Sequence, residues 1–191
     1  MRSNLTELPP DLPIPIDDGL TDHLVGLELP AIELKSTERK SLNIWQELQK
    51  PSVLFIYPRA GSPLEPNMNP HAWDQIPGAR GCTPHSCGYR DLKADFDLKG
   101  VSLFGLSVQS PAVQDEFAER NLITFPILSD YQYKLTDSLN LPTFDFEGTR
   151  LIKRMALYIV GAKIVKVFYP VFPPNKNAAD VLAWLQAQER L

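Results

Sequence analysis

Both cysteines of this 191-residue chain, Cys82 and Cys87, fall in one segment, Gly81-Cys82-Thr83-Pro84-His85-Ser86-Cys87. That placement suits a reactive thiol with a resolving thiol beside it. A free thiol titrates near ~8.5, so nucleophilic chemistry at neutral pH needs surroundings that stabilise the anion. Two such features adjoin Cys82. The pattern places it at a helix N-terminus, where free N–H groups and the helix dipole favour negative charge. Arg80 lies two residues before it, although an exposed loop arginine is the plainer reading. Thr83 reads as a helix cap and Pro84 as a first-turn residue. His85 reads as a solvated helix residue. A metal site built from Cys82, His85 and Cys87 lacks the second cysteine pair that would complete it, and none is expected.

The elements that must position these thiols alternate along the chain. Residues 1–28 read as an extended arm, because Pro9, Pro10, Pro13 and Pro15 forbid a regular helix. Residues 29–191 read as one domain. Within it, Leu29 to Leu34 suggests an edge strand, and Thr37 or Ser41 opens a short helix bearing Leu42, Ile44, Trp45 and Leu48. Ser52 to Tyr57 is a continuous apolar run, the mark of a strand covered on both faces. A long proline-rich loop leads to Gly81, and its His71, Trp73 and Asp74 suit either a lid or a packed surface loop. A helix from Thr83 to Gly100 follows, with Tyr89, Leu92 and Phe96 on one face. Then come a strand at Val101–Val108, a helix from Ser110-Pro111, a strand at Phe125–Leu128 and a helix at Tyr131–Leu139. Met155–Val160 and Ile164–Tyr169 read as a hairpin around Gly161-Ala162-Lys163, and Ala178–Arg190 as a final amphipathic helix. This order predicts an α/β fold of thioredoxin-like layout, with a central mixed β-sheet flanked by helices.

Composition narrows the function classes. The net charge is −4 and no run of Lys or Arg stands out, which argues against a nucleic-acid surface. The longest apolar stretches are of strand length, so no membrane span is expected. Met1-Arg2-Ser3-Asn4-Leu5 shows no apolar export signal, and a cytoplasmic location is the expectation. In that compartment a cysteine pair is more often catalytic or metal-binding than structural.

The segment Pro77-Gly78-Ala79-Arg80-Gly81-Cys82-Thr83-Pro84-His85-Ser86-Cys87-Gly88-Tyr89-Arg90-Asp91 resembles the active-site segment of the Q-type peroxiredoxins, the bacterioferritin-comigratory-protein group. Val101 to Ser110, Phe117-Ala118-Glu119, Phe125 to Asp130 and Lys163 to Val167 match the same family in the same order. The resemblance covers roughly residues 25–190. It implies a thiol peroxidase that reduces hydrogen peroxide and small organic hydroperoxides without a bound cofactor. Cys82 would be the peroxidatic cysteine and Cys87 the resolving one, joined as an intramolecular disulfide that thioredoxin or a similar dithiol reduces. Arg154 sits where the family holds thiolate and peroxide, and Thr83 is a candidate peroxide contact. The family leans towards a monomer, with a dimer open through the arm. One position departs: Ala79 stands where the family carries Thr or Ser, leaving Thr83 or Ser62 to supply the hydroxyl and Pro77 to shield the sulfur. That departure keeps a redox-sensing or binding module on the same fold in view. A general thiol–disulfide oxidoreductase is the other alternative, although its expected motif is Cys-x-x-Cys.

Spacing then sets a mechanical condition. Residues five apart in an intact α-helix lie roughly 8–9 Å apart at Cα, whereas a disulfide needs ~4.4–6.8 Å. If Cys87 is helical in the reduced protein, the helix must unwind to form the bond.

Overall fold

The computed structural model describes residues 8–66 and 68–188. The start of the predicted arm and the last residues of the predicted C-terminal helix lie outside them. Seven strands form one mixed sheet. From one edge to the other they are β2 (Ser41–Asn43), β1 (Glu33–Ser36), β5 (Ile127–Ser129), β4 (Ser102–Ser107), β3 (Ser52–Ile56), β8 (Met155–Val160) and β9 (Lys163–Phe168). The centre is parallel, with β3 paired to β4 and β4 to β5. The antiparallel hairpin of β8 and β9 extends it beside β3, as the sequence pattern predicts.

Alternation along the strands splits the core into two layers. Leu54 and Ile56 of β3, Leu106 of β4 and Leu157 of β8 join one layer, with Leu24 and Trp73. Val53 and Phe55 of β3 and Ala156 of β8 face the other. This second layer takes in α3 (Cys82–Asp91), α4 (Lys93–Leu98), α5 (Pro111–Arg120) and α7 (Asn177–Gln188) through Tyr89, Phe96, Phe117 and Val181. Phe55 stacks on Tyr89 with ring centroids 4.3 Å apart and planes within 9°. Parallel stacking with the strand fixes the roll of α3, and therefore the direction of its first turn.

Several local expectations are revised. Pro30 has no N–H to pair, and strand β1 begins only at Glu33. It is not the edge, because residues 37–40 turn the chain back into β2, with Arg39 left-handed at φ 59°. Thr37 and Ser41 therefore open no helix; α1 is the short Ile44–Glu47, capped by the Asn43 side chain. The predicted helix from residue 83 to 100 breaks at Leu92, which adopts φ −99° and ψ 8°. The helix expected at Tyr131–Leu139 contracts to α6 (Lys134–Ser138). The sequence pattern does not announce the hairpin of β6 (Thr143–Phe146) and β7 (Thr149–Ile152), which turns at Glu147-Gly148, both with positive φ.

The long loop is a packed structure rather than a free lid. It carries α2 (Pro70–Asp74), capped by the Asn69 side chain, and its Trp73 is buried edge-on against Phe146 at 5.0 Å. Upstream, Gln109 clamps the loop's start by exchanging hydrogen bonds with the Ala60 N–H and C=O. Residues 8–28 contain no helix or strand beyond a single bridge at Glu28 to Lys163. They are nonetheless held down, with Leu24 fully buried and the Gly26 N–H bonded to the Ile164 carbonyl.

Candidate active site

Cys82 is the first residue of α3, and the residue before it explains why the chain can turn there. Gly81 adopts φ +101°, and a Cβ at that position would lie 2.5 Å from Pro174 and 2.8 Å from Leu8. Glycine thus supplies both the left-handed backbone and the space for two neighbours. Gly81 has no side chain to cap with, and among the described residues none caps α3, so the positive end of the helix dipole lies at its buried first residue, Cys82.

Arg154 precedes β8 and is 3% exposed. Its Nη2 donates to Cys82 Sγ at 3.1 Å and to the carbonyls of Ala79 (2.9 Å) and Arg80 (3.3 Å). Its Nε donates to the Gly78 carbonyl at 3.1 Å, and Nη1 reaches His85 Nδ1 at 2.9 Å. Among the described residues no carboxylate forms an ion pair with it. Besides the Cys82 sulfur, this buried guanidinium is held by neutral acceptors alone, three carbonyls and the His85 ring.

His85 is therefore not the solvated residue its local pattern suggests. It is fully buried, because the start of α3 is covered by β3 and the start of α7. Arginine can only donate, so His85 Nδ1 accepts and Nε2–H donates to Asn177 Oδ1 at 2.9 Å. The Tyr89 hydroxyl donates to the same oxygen at 2.7 Å. The result is a relay from Asn177 through His85 to Arg154 and the sulfur, and it leaves neither ring nitrogen free for a metal. Sequence reasoning misses His85 and Asn177 because 92 residues separate them, and no local periodicity reports such a contact.

Burial, then the charge of Arg154, holds the His85 imidazole well below its usual pKa. The unfolded chain takes up a proton below about pH 6.5 that the native chain refuses. Stability is then full above that pH and falls as pH drops below it, by roughly 1 kcal/mol per unit, until the native His85 itself titrates. Substituting His85→Gln, which keeps a neutral donor and acceptor, should flatten this slope. Urea unfolding of both proteins at about pH 7.5 and 5.5 measures the difference.

The remaining candidates fall into two groups. Thr83 lies in the first turn, 6% exposed, and is not the cap; its hydroxyl makes no hydrogen bond among the described residues. Ala79, where the resembled family carries Thr or Ser, contributes its carbonyl to Arg154. The other hydroxyl considered, that of Ser62, donates to Glu116 Oε2 at 2.9 Å. Arg80 points its charge at Asp74, Nη1 to Oδ1 3.2 Å, and not at the sulfur. Arg90 bonds to the Asn121 carbonyl and the Asp91 carboxylate. Cys87 is also in α3, half-buried, with Sγ 3.9 Å from Asn121 Oδ1. Burial pushes the Cys87 thiol up, so it rests protonated. Both cysteines are free, and the intact helix between them keeps them apart.

Known proteins match this arrangement. The family model Redoxin matches residues 24–182. Peroxiredoxin Q, chloroplastic, of Populus jackii is 27% identical over 164 residues, which is 85% of this chain and 68% of that protein. Peroxiredoxin Bcp of Escherichia coli is 24% identical over 160 residues, 82% of this chain and 92% of that one. Among solved structures, peroxidoxin BcpB from Mycobacterium tuberculosis superposes with a TM-score of 0.68 at 26% identity, covering 85% of this chain and 96% of that one. With the buried thiol at a helix start and an arginine on its sulfur, these matches bear out both the thioredoxin-like fold and the resemblance read from residues 77–91. The chain belongs to the Redoxin family, and within it is similar to the peroxiredoxins of the Q/Bcp type.

Proposed function

We propose that the protein is a thiol peroxidase in which Cys82 attacks, Cys87 resolves, and Arg154 and Thr83 hold the peroxide. The observation that carries this reading is the Arg154 guanidinium 3.1 Å from Cys82 Sγ, with neutral groups as its other partners. The thiolate attacks one peroxide oxygen; an S–O bond forms as the O–O bond breaks. The departing hydroxide or alkoxide takes a proton from solvent. Arg154 keeps one Nη1 N–H without a partner among the described residues, and its Nη2 already reaches the sulfur, so both can turn to the oxygen on which charge develops; the unengaged Thr83 hydroxyl is the nearest further donor along the chain. The Cys82 sulfenic acid then condenses with the Cys87 thiol, releasing water and leaving a disulfide.

A dithiol donor of the thioredoxin kind returns two electrons and two protons and closes the cycle. Both thiols belong to one helix, so a monomer contains everything the cycle uses. A cytosolic setting, where dithiols stay reduced, suits it. The test of the donor is steady-state hydrogen peroxide consumption with thioredoxin, thioredoxin reductase and NADPH. Turnover that saturates with thioredoxin supports the reading; consumption only with high concentrations of a small dithiol would remove thioredoxin from it.

A further inference from the structure

Arg154 is held from two directions. Its Nε and Nη2 donate to the carbonyls of Gly78, Ala79 and Arg80, all in the loop before α3. Its Nη1 donates to His85 Nδ1 at 2.9 Å, in the first turn of α3 itself. When Nη2 turns from Cys82 Sγ to a peroxide oxygen, the His85 bond still ties the guanidinium to the helix that carries the sulfur.

That bond exists in one tautomer only. Nδ1 must present a lone pair to a donor, so the proton of the neutral ring sits on Nε2. A buried Nε2–H requires an acceptor, and Asn177 Oδ1 supplies it at 2.9 Å. The Tyr89 hydroxyl donates to the same oxygen at 2.7 Å, which favours the amide with its oxygen inward. Asn177 is the first residue of α7 and is 4% exposed. Two glycines let it come so close. A Cβ at Gly88 would meet the Asn175 carbonyl at 3.4 Å and Ala178 Cβ at 3.6 Å, and one at Gly81 would meet Pro174 at 2.5 Å.

The residue type at 177 matters as much as its place. A neutral amide accepts the Nε2–H without offering an ion pair. A carboxylate there would favour the imidazolium, whose second N–H would face Arg154 donor against donor. Of the charged groups nearby, Arg154 touches the ring and Asp180 of α7 bears on Tyr89 beside it.

We infer that Asn177 is a positioning residue for the peroxide reaction: it keeps the Nδ1 lone pair of His85 towards Arg154, and so keeps the guanidinium turned to Cys82. The inference rests on the peroxidase reading above. Its test is Asn177→Asp, which preserves the size of the side chain and its acceptor. Nitrogen NMR of wild type carrying labelled histidine should show the His85 ring neutral with its proton on Nε2, the signal being the one lost in His85→Gln. In Asn177→Asp the ring should be charged, and oxidation of Cys82 by hydrogen peroxide should slow about tenfold. Glutamine takes up no proton, so the same change made in the His85→Gln protein should slow oxidation less than about threefold. An equal loss in both proteins, or a rate for Asn177→Asp within threefold of wild type, overturns the inference and leaves the peroxidase reading in place. A wild-type ring proton on Nδ1 also overturns it. A wild type no faster than free cysteine would remove the peroxidase reading and the inference together.

Discussion

Replacing Arg154 by leucine is expected to slow the oxidation of Cys82 by hydrogen peroxide about 10²–10³-fold, the usual loss when a donor to developing oxygen charge is removed. The geometry says why no single neighbour can compensate. One guanidinium bonds to the sulfur, to three carbonyls from residues 78–80 and to His85. It places the charge and also fixes the loop that leads into α3. Lysine keeps the charge but is a point donor without the planar fork, so Arg154→Lys should fall between leucine and wild type, at about 10–100-fold. Leucine leaves buried carbonyls unpaired, and its loss of stability has to be read separately by thermal unfolding. Lysine is the cleaner variant, because a folded protein that reacts slowly assigns the effect to geometry. Rates within threefold of wild type in both variants would mean that Arg154 is structural.

Replacing Cys87 by serine should leave the first reaction with peroxide intact and stop turnover with a dithiol donor, a loss of about 100-fold or more in steady state. The sulfenic acid on Cys82 should persist and be trapped by dimedone. In the wild type the same oxidation must open α3, because its helical spacing exceeds what a disulfide spans. Pro84 contributes no N–H to that helix, and Gly88 lowers its intrinsic stability, so this stretch is suited to opening. His85 lies within the stretch that would open, so its bonds to Arg154 and Asn177 are expected to break with it, which would link the redox state to the start of α7. Hydrogen exchange of the oxidised protein should show residues 82–88 deprotected relative to the reduced form. Equal protection in both states would require a different partner for the Cys82 sulfenic acid.

The central strands are legible in the residues themselves. Val53–Ile56 of β3 and the whole of β8 are uninterrupted apolar runs with Gly or Pro near their ends, and β4 is apolar but for Ser102, Gly105 and Ser107, a signal strong enough to survive without context. The segment around Cys82 likewise carries its chemistry in residue types and spacing. Other elements escape a sequence reading for identifiable reasons. The turn at residues 37–40 uses Arg39 in a left-handed conformation, where no Gly or Asn announces it. The β6–β7 hairpin turns on Glu147-Gly148, a weak signal between strands that alternate only partly. His85 reads as solvated because a polar residue in a helix usually faces water; here Asn177 and Arg154 arrive from distant parts of the chain and satisfy both its nitrogens. Thr83 reads as a cap, but Gly81, with no capping side chain of its own, already begins the helix.

A Cys82 thiolate, held by Arg154 at the start of α3, is the group expected to reduce peroxide. Rapid-quench mixing of reduced protein with hydrogen peroxide, followed by thiol alkylation and mass spectrometry, tests this most directly when wild type and Cys82→Ser are compared. The wild type should lose both thiols in a fast second-order reaction and yield a single disulfide-linked peptide containing Cys82 and Cys87. In Cys82→Ser, Cys87 should react no faster than free cysteine. Slow oxidation of the wild type, or fast oxidation of Cys87 in the absence of Cys82, would contradict that assignment.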